Sequence, residues 1–176
     1  DGTMKGSELT GIRYEQLIPW FNPGEGAFKV IPGDYVTVED GTGIVHIAPT
    51  FGADDAKVAR LAGVPGLQVV DRNGDLQAQV DLRGRFFRVE DLDPAYVEAN
   101  MSPEYAEWAG RYVKNAYDAE LPVDAPTLDV DICVMLKQQN KAFKIEKHTH
   151  NYPHCWRTDK PVLYYPLDSW FIRSTA

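Results

Sequence analysis

A proline separates a β-branched apolar run from a helix-forming one, and that junction narrows what this chain can fold into. The run Ile44-Val45-His46-Ile47-Ala48 reads as a short buried strand. Pro49 ends it, because proline has no N–H to give a sheet ladder. Thr50-Phe51-Gly52 then turns into a helix over 53–62, with Asp54 and Asp55 in the first turn, Lys57 and Arg60 later, and Gly63 and Pro65 as the stop. The expected product brings His46, near a strand end, and Asp55, at a helix start, to one edge of the fold. Such an edge would suit a small polar ligand. Ordinary duties compete with that reading. An acid in a first helical turn serves the free N–H groups and the macrodipole. Asp54 suits that task and Thr50 suits a cap, which leaves Asp55 surplus to capping. A lone His in an apolar strand is commonly a packed structural residue, so His46 carries both readings.

The pattern around this junction alternates between extended and helical stretches. Residues 28–31 and 35–38 are strand-like and separated by Pro32-Gly33-Asp34. Leu67 to Val70 is a strand, Asp71 to Asp75 a hairpin turn with Asn73-Gly74 at its tip, and 86–89 a further strand. The middle is helical. Glu90 to Asn100 forms one stretch, and Ser102-Pro103-Glu104 starts another that carries Tyr105, Trp108 and Tyr112 on one face. Thr127 to Gln139 forms a third, with Val130, Val134 and Lys137 along one side. These stripes are assigned to the core. Alternation returns over 142–150, and 161–166 follows a tight turn. Strands, a helical insert at about 90–140 and strands again predict an α+β fold, mainly antiparallel and β-barrel-like, in a single domain over 1–176.

Charge is distributed unevenly. The chain has a formal net charge of −8, which argues against a nucleic-acid binder over its whole surface. From Lys137 to Lys160, however, six bases face two acids, so that strip is +4 and the remainder −12. Such a strip is where a phosphate backbone can dock, and Lys144, Lys147 and Arg157 are its candidate contacts. A solvated strand face is the plainer reading of the same charges. Two cysteines, Cys133 and Cys155, make no disulfide framework, so a reducing cytoplasmic setting is expected. No apolar run approaches a membrane span, and the N-terminus carries no signal-peptide pattern.

His148-x-His150-x-Tyr152-x-His154-Cys155 invites a metal reading, since His and Cys are zinc ligands. Against it, Thr158 stands where a second cysteine of a Cys-x-x-Cys pair would be, and Cys133 is remote and on a predicted helix. No metal ligand is therefore assigned, and a zinc-binding structural domain stays an alternative. Nucleophile elbows, phosphate loops and His-Glu-x-x-His helices are not found in the sequence.

Three longer motifs carry a resemblance. Gly41 to Asp55, His150-Asn-Tyr-Pro-His-Cys-Trp-Arg157 and Asp168-Ser-Trp-Phe-Ile-Arg173 together resemble the isoleucyl-tRNA synthetase family, in the editing domain inserted into its catalytic fold. Lys5 to Tyr14 is similar to the family as well, and Tyr165 to Phe171 resembles its eukaryote-like branch. The resemblance implies hydrolysis of the ester of valyl-tRNA(Ile). Asp55 would hold the α-ammonium of the misattached amino acid, and His46 would crowd out isoleucine. Tyr152 would lie near the terminal adenosine. The implied partners are the tRNA(Ile) 3′ end carrying valine and the rest of the synthetase chain. ATP and Mg would serve the full-length enzyme, with no cofactor in this chain. The family's Thr-rich pocket strand is not found here, nor are its His-Ile-Gly-His and Lys-Met-Ser-Lys-Ser signatures. The chain is thus expected to be a fragment, weak or inactive in isolation, with 160–176 a strand leading back to the catalytic domain. A non-catalytic tRNA-docking module is the alternative from a different class.

Overall fold

Trp20, Phe21, Tyr105 and Trp108 pack with Val69, Leu92 and Leu128 into one core. It is seen in a computed structural model that describes every residue except Asp1, Asp40, Val123, His148, Asp168, Phe171, Arg173, Thr175 and Ala176. The Trp20 and Trp108 rings lie 5.1 Å apart, and those of Phe21 and Tyr105 4.4 Å apart. Rings of this size bury large apolar areas and gain further from tilted and edge-on contacts. Tyr105 is fully buried, and its hydroxyl donates to the Phe87 carbonyl at 2.6 Å. Burial pushes its phenol far above the usual tyrosine value. The N-terminal arm is pinned to this core by its backbone. Ser102 N–H donates to the Trp20 carbonyl at 2.8 Å and Asn22 N–H to that of Asn100 at 3.0 Å, with Phe21 bridged to Met101.

Local chemistry accounts for the regular elements. Helix α1 spans Ala53–Leu61, and Gly63 follows at φ +63, the left-handed stop that glycine adopts without steric cost. Lys29 donates to the Ala62 carbonyl at 3.0 Å, a cation on the negative end of that helix. Strands β1 (Val69–Val70) and β2 (Leu76–Gln77) pair antiparallel. In their turn, Asp71 Oδ1 accepts from the N–H groups of Asn73 and Asp75 at 2.8 and 3.1 Å, and Gly74 sits at φ +87. Helix α2 (Pro94–Asn100) opens with proline at its first position and Asp93 as cap, accepting from Tyr96 N–H at 2.8 Å. A single 3-10 stretch, Pro103–Glu107, replaces the longer helix expected after Ser102. Helix α3 runs Leu128–Gln138 with Thr127 as N-cap, close to the predicted span.

The extended segments depart further from expectation. Residues 44–48 form no ladder, and Ile44 and Val45 are 65% and 50% exposed, so this is not a buried strand. β-Branched residues favour extended backbone, but burial requires a partner strand, and none pairs here among the described residues. Residues 28–31 reach only one bridge, Arg13 to Lys29, and 35–38 make none. Phe86 bridges to Val80 without extending the pairing over 86–89. Within 142–150 the described residues form no strand, and Phe143 is fully exposed, while 161–166 makes a single β-bridge, Pro161 to His154, and no ladder among the described residues. The fold is therefore mixed α+β and its pairings are antiparallel. The barrel is not seen among the described residues, where one two-stranded sheet stands beside isolated bridges.

One core assignment shifts by a register. Val130 and Val134 of α3 are about half exposed, whereas Leu128 is buried and Ile132 and Met135 pack on the core. Tyr105 and Trp108 are buried as assigned, and Tyr112 is half-buried, bridged to Arg85 with the guanidinium 5.8 Å from its ring. Among the described residues no helix is long and apolar enough to cross a membrane.

Candidate functional site

Pro49 interrupts the backbone after Ala48, and the chain reverses over the next three residues. The N–H groups of Phe51 and Gly52 both donate to the Ala48 carbonyl at 3.0 Å. Gly52 is the N-cap of α1, which places Asp54 and Asp55 at its second and third positions. An acid at the third position ordinarily reaches back to the cap N–H. Asp55 reaches further: its Oδ2 accepts from Ala48 N–H at 2.9 Å, so both backbone groups of Ala48 are held by the start of α1. Gly52 makes room for this. A Cβ there would stand 2.6 Å from Asp55 Oδ2 and 2.8 Å from its Cγ. Asp55 is half-buried, Asp54 is exposed, and Asp55 Oδ1 has no hydrogen bond among the described residues. Ionised, that carboxylate has several free lone pairs for a cationic ligand.

Thr50 is not the cap. Its hydroxyl donates to the Leu67 carbonyl at 2.7 Å, tying the turn to the segment before β1. This tie helps form a cleft of about 290 Å³, lined by Pro49, Thr50, Ala56, Arg60, Gln68 and Pro166 among others. His46 lies exposed two residues before Ala48. The Asp55 bond therefore draws the start of α1 to the segment carrying His46, while the two side chains make no hydrogen bond or ion pair with each other among the described residues.

Tyr152 is placed elsewhere. Lys114 stands 5.0 Å from its ring centroid and the His150 ring 6.0 Å away. Nearby Tyr117 donates to the Pro161 carbonyl at 2.9 Å, and burial, then the charge of Tyr152, raises its phenol. Among the described residues no hydrogen bond, ion pair or ring contact joins Tyr152 to Asp55 or His46. Sequence reasoning missed Lys114 and Tyr117, which lie far from Tyr152 along the chain and in no common motif. Gly52 was readable only as a turn, although a glycine one step before two helix-start acids is a usable signal.

The basic strip is exposed. Lys144 pairs with Glu146, Lys147 is exposed, and the Arg157 guanidinium lies 4.6 Å from the Trp156 ring centroid. Around Cys155 the chain makes a tight turn, with Cys155 N–H donating to the Lys160 carbonyl and Asp159 N–H to that of Cys155, both at 2.8 Å. Hydrogen bonding by the Thr158 side chain, then by the Arg157 and Thr158 backbone, draws the Cys155 thiol below its ordinary value. His154 Nδ1 faces Asp159 Oδ1 at 3.5 Å. Among the described residues no three His, Cys, Asp or Glu side chains gather as a metal would require, and His148 lies outside them.

With this geometry in hand, the relatives supply the class. The curated proteins that the chain resembles are aminoacyl-tRNA synthetases, enzymes of protein biosynthesis. It is 69% identical over 175 residues to the isoleucine–tRNA ligase of Porphyromonas gingivalis, covering 99% of this chain and 15% of that protein. Against the same ligase of Bacteroides fragilis identity is 66%, over 98% of this chain and 15% of the relative. Against the isoleucine–tRNA ligase of Thermoplasma volcanium it is 42%, over 98% of this chain and 13% of the relative. The chain belongs to the isoleucine–tRNA ligase family. It spans about 15% of the length of the curated relatives named first. No protein-family model matches it.

Proposed function

We propose that this segment is the editing domain of an isoleucine–tRNA ligase and hydrolyses the ester of valyl-tRNA(Ile), with aminoacylation, ATP and Mg belonging to other parts of the enzyme. The need is physical. Isoleucine and valine differ by one methylene, worth only about 1–3 kcal/mol in an apolar pocket, and isoleucyl enzymes are themselves the type example of this limit. A second, hydrolytic sieve that accepts the smaller side chain corrects the errors.

One observation carries the reading: a half-buried carboxylate is fixed through one oxygen by Ala48 N–H and keeps the other for a ligand. Asp55 would hold the α-ammonium of the valyl group through a charge-assisted hydrogen bond. Water would then add to the ester carbonyl, and the ribose oxygen would leave with a proton. Positioning and charge stabilisation supply the rate, and no side chain is assigned as general base. His46, two residues from the anchored Ala48, would limit the side chain admitted. Tyr152 would meet the terminal adenosine, and Lys144, Lys147 and Arg157 the backbone of the tRNA. The remaining extended segments would complete a barrel in the whole protein, which would work in the cytoplasm.

The test uses full-length ligase. Asp55→Ala removes deacylation of valyl-tRNA(Ile) and leaves isoleucine activation near normal. Asp55→Asn retains an acceptor for Ala48 N–H but lacks the charge, and deacylation falls about 100-fold. Wild-type deacylation by the Asn variant would reduce Asp55 to a brace for the turn.

A further inference from the structure

Trp156 is 85% exposed on a turn that is otherwise tightly held. A large aromatic ring held in water by a braced turn offers a flat apolar face on which another flat group can stack. Backbone hydrogen bonds and one bridge brace the turn. His154 bridges to Pro161, Cys155 N–H binds the Lys160 carbonyl at 2.8 Å, and Val162 N–H binds that of Pro153 at 2.9 Å. Asp159 takes a left-handed φ of 52 to close it. Tyr117 then anchors the base of the turn to the helical region through the Pro161 carbonyl at 2.9 Å. The ring is therefore presented by a braced hairpin tip.

Charge selects the kind of partner. The Arg157 guanidinium lies 4.6 Å from the ring centroid, and Lys160 is exposed on the same turn. Asp159, the acid beside them, faces His154 at 3.5 Å. The strip from Lys137 to Lys160 is +4 on a chain of −8. An exposed ring beside cations that make no ion pair among the described residues is complementary to a polyanion carrying flat bases, and poorly suited to an apolar helix or an acidic side chain alone.

We propose that Trp156 is a stacking platform for an unpaired nucleobase of the RNA strand, while Arg157 and Lys160 meet its flanking phosphates. The guanidinium occupies one side of the ring, and a base stacks on the side left in water. Stacking accepts any base, so the platform grips single-stranded RNA without reading sequence. The strand's identity as tRNA rests on the ligase reading above. So does its being RNA, whereas its chemistry as a single-stranded polyanion with flat bases does not.

Full-length ligase variants test this with unacylated tRNA(Ile) and, separately, a single-stranded oligoadenylate. Trp156→Ala weakens binding of both by about 5- to 100-fold, while the slope of log affinity against log salt stays as in the wild type. Arg157→Ala lowers that slope by about one unit, and Trp156→Phe retains most of the affinity. Binding by Trp156→Ala within twofold of wild type overturns the platform and leaves the ring as a contact to another part of the ligase. A loss accompanied by the same slope change as Arg157→Ala also overturns it, because the ring would then only support the guanidinium. Deacylation of valyl-tRNA(Ile) is read in parallel. If the wild-type ligase does not deacylate yet Trp156→Ala loses oligoadenylate binding, the editing reading fails and the platform stands.

Discussion

Tyr105 and Asp55 each make one side-chain hydrogen bond to the backbone, at 2.6 Å to the Phe87 carbonyl and at 2.9 Å from Ala48 N–H. Their settings have little else in common. Tyr105 is fully buried among Trp20, Phe21 and Phe86, inside the cluster that also holds Val69, Leu92 and Leu128. Asp55 is half-buried on a turn whose neighbouring segment, Ile44 to His46, faces water. One bond is an accessory to dense packing. The other joins the Phe51 and Gly52 N–H bonds to the Ala48 carbonyl in tying a helix start to a stretch that pairs with no strand among the described residues. Stability therefore resides around the aromatic rings, and the candidate chemistry resides where packing is thin and a ligand can enter.

The largest effects on stability are expected at the rings. Tyr105→Ala is expected to cost about 3–5 kcal/mol in urea unfolding, as for other large aromatic truncations in a core. Tyr105→Phe leaves the Phe87 carbonyl without its donor and costs about 1–3 kcal/mol. A cost under about 1 kcal/mol for the alanine variant would place the core elsewhere.

At the edge the effects on stability are smaller and those on function larger. Gly52→Ala puts a methyl 2.6 Å from Asp55 Oδ2, closer than the two atoms can stand. The backbone there, at φ −101, accepts alanine, so the carboxylate is what must move. Stability should change by about 1 kcal/mol, the net worth of one hydrogen bond. Deacylation by the full-length ligase should fall towards that of Asp55→Ala. Unchanged deacylation would show that the Ala48 tie is dispensable for the site.

The mildest test concerns Tyr96, which links the two regions. Its hydroxyl donates at 2.8 Å to the carbonyl of Gln68, a residue lining the cleft beside α1, and its ring stacks on Phe21. Burial pushes its pKa from 10.0 up to about 12. A group with a raised folded pKa stabilises the fold fully below its unfolded value and loses that contribution as pH rises through the folded one. The thermal midpoint should therefore decline between pH 10 and about 12, and Tyr96→Phe should flatten that decline. An equal decline in Tyr96→Phe would assign it to other groups, Tyr105 among them.

Much of this was legible from residues close together in the chain. Gly63 and Pro65 stop α1, Asp71 and Gly74 shape the hairpin, and Pro94 opens α2 behind the Asp93 cap. Each depends on hydrogen bonds or steric limits within a few residues, which sequence displays directly. The motifs from Gly41 to Asp55 and from His150 to Arg157 likewise sufficed for the family, because they are long and specific.

Pairing and burial were not legible in that way. That Trp20 binds Ser102, that Ile132 rather than Val134 of α3 faces the rings, and that Ile44 and Val45 stay exposed all depend on partners far along the chain. The Asp55 carboxylate gives the clearest instance. Its type and position at a helix start follow from neighbouring residues, but its grip on Ala48 needs the turn to fold back over Gly52. Short-range backbone chemistry is local, whereas a contact between separated segments exists only once the chain has closed on itself.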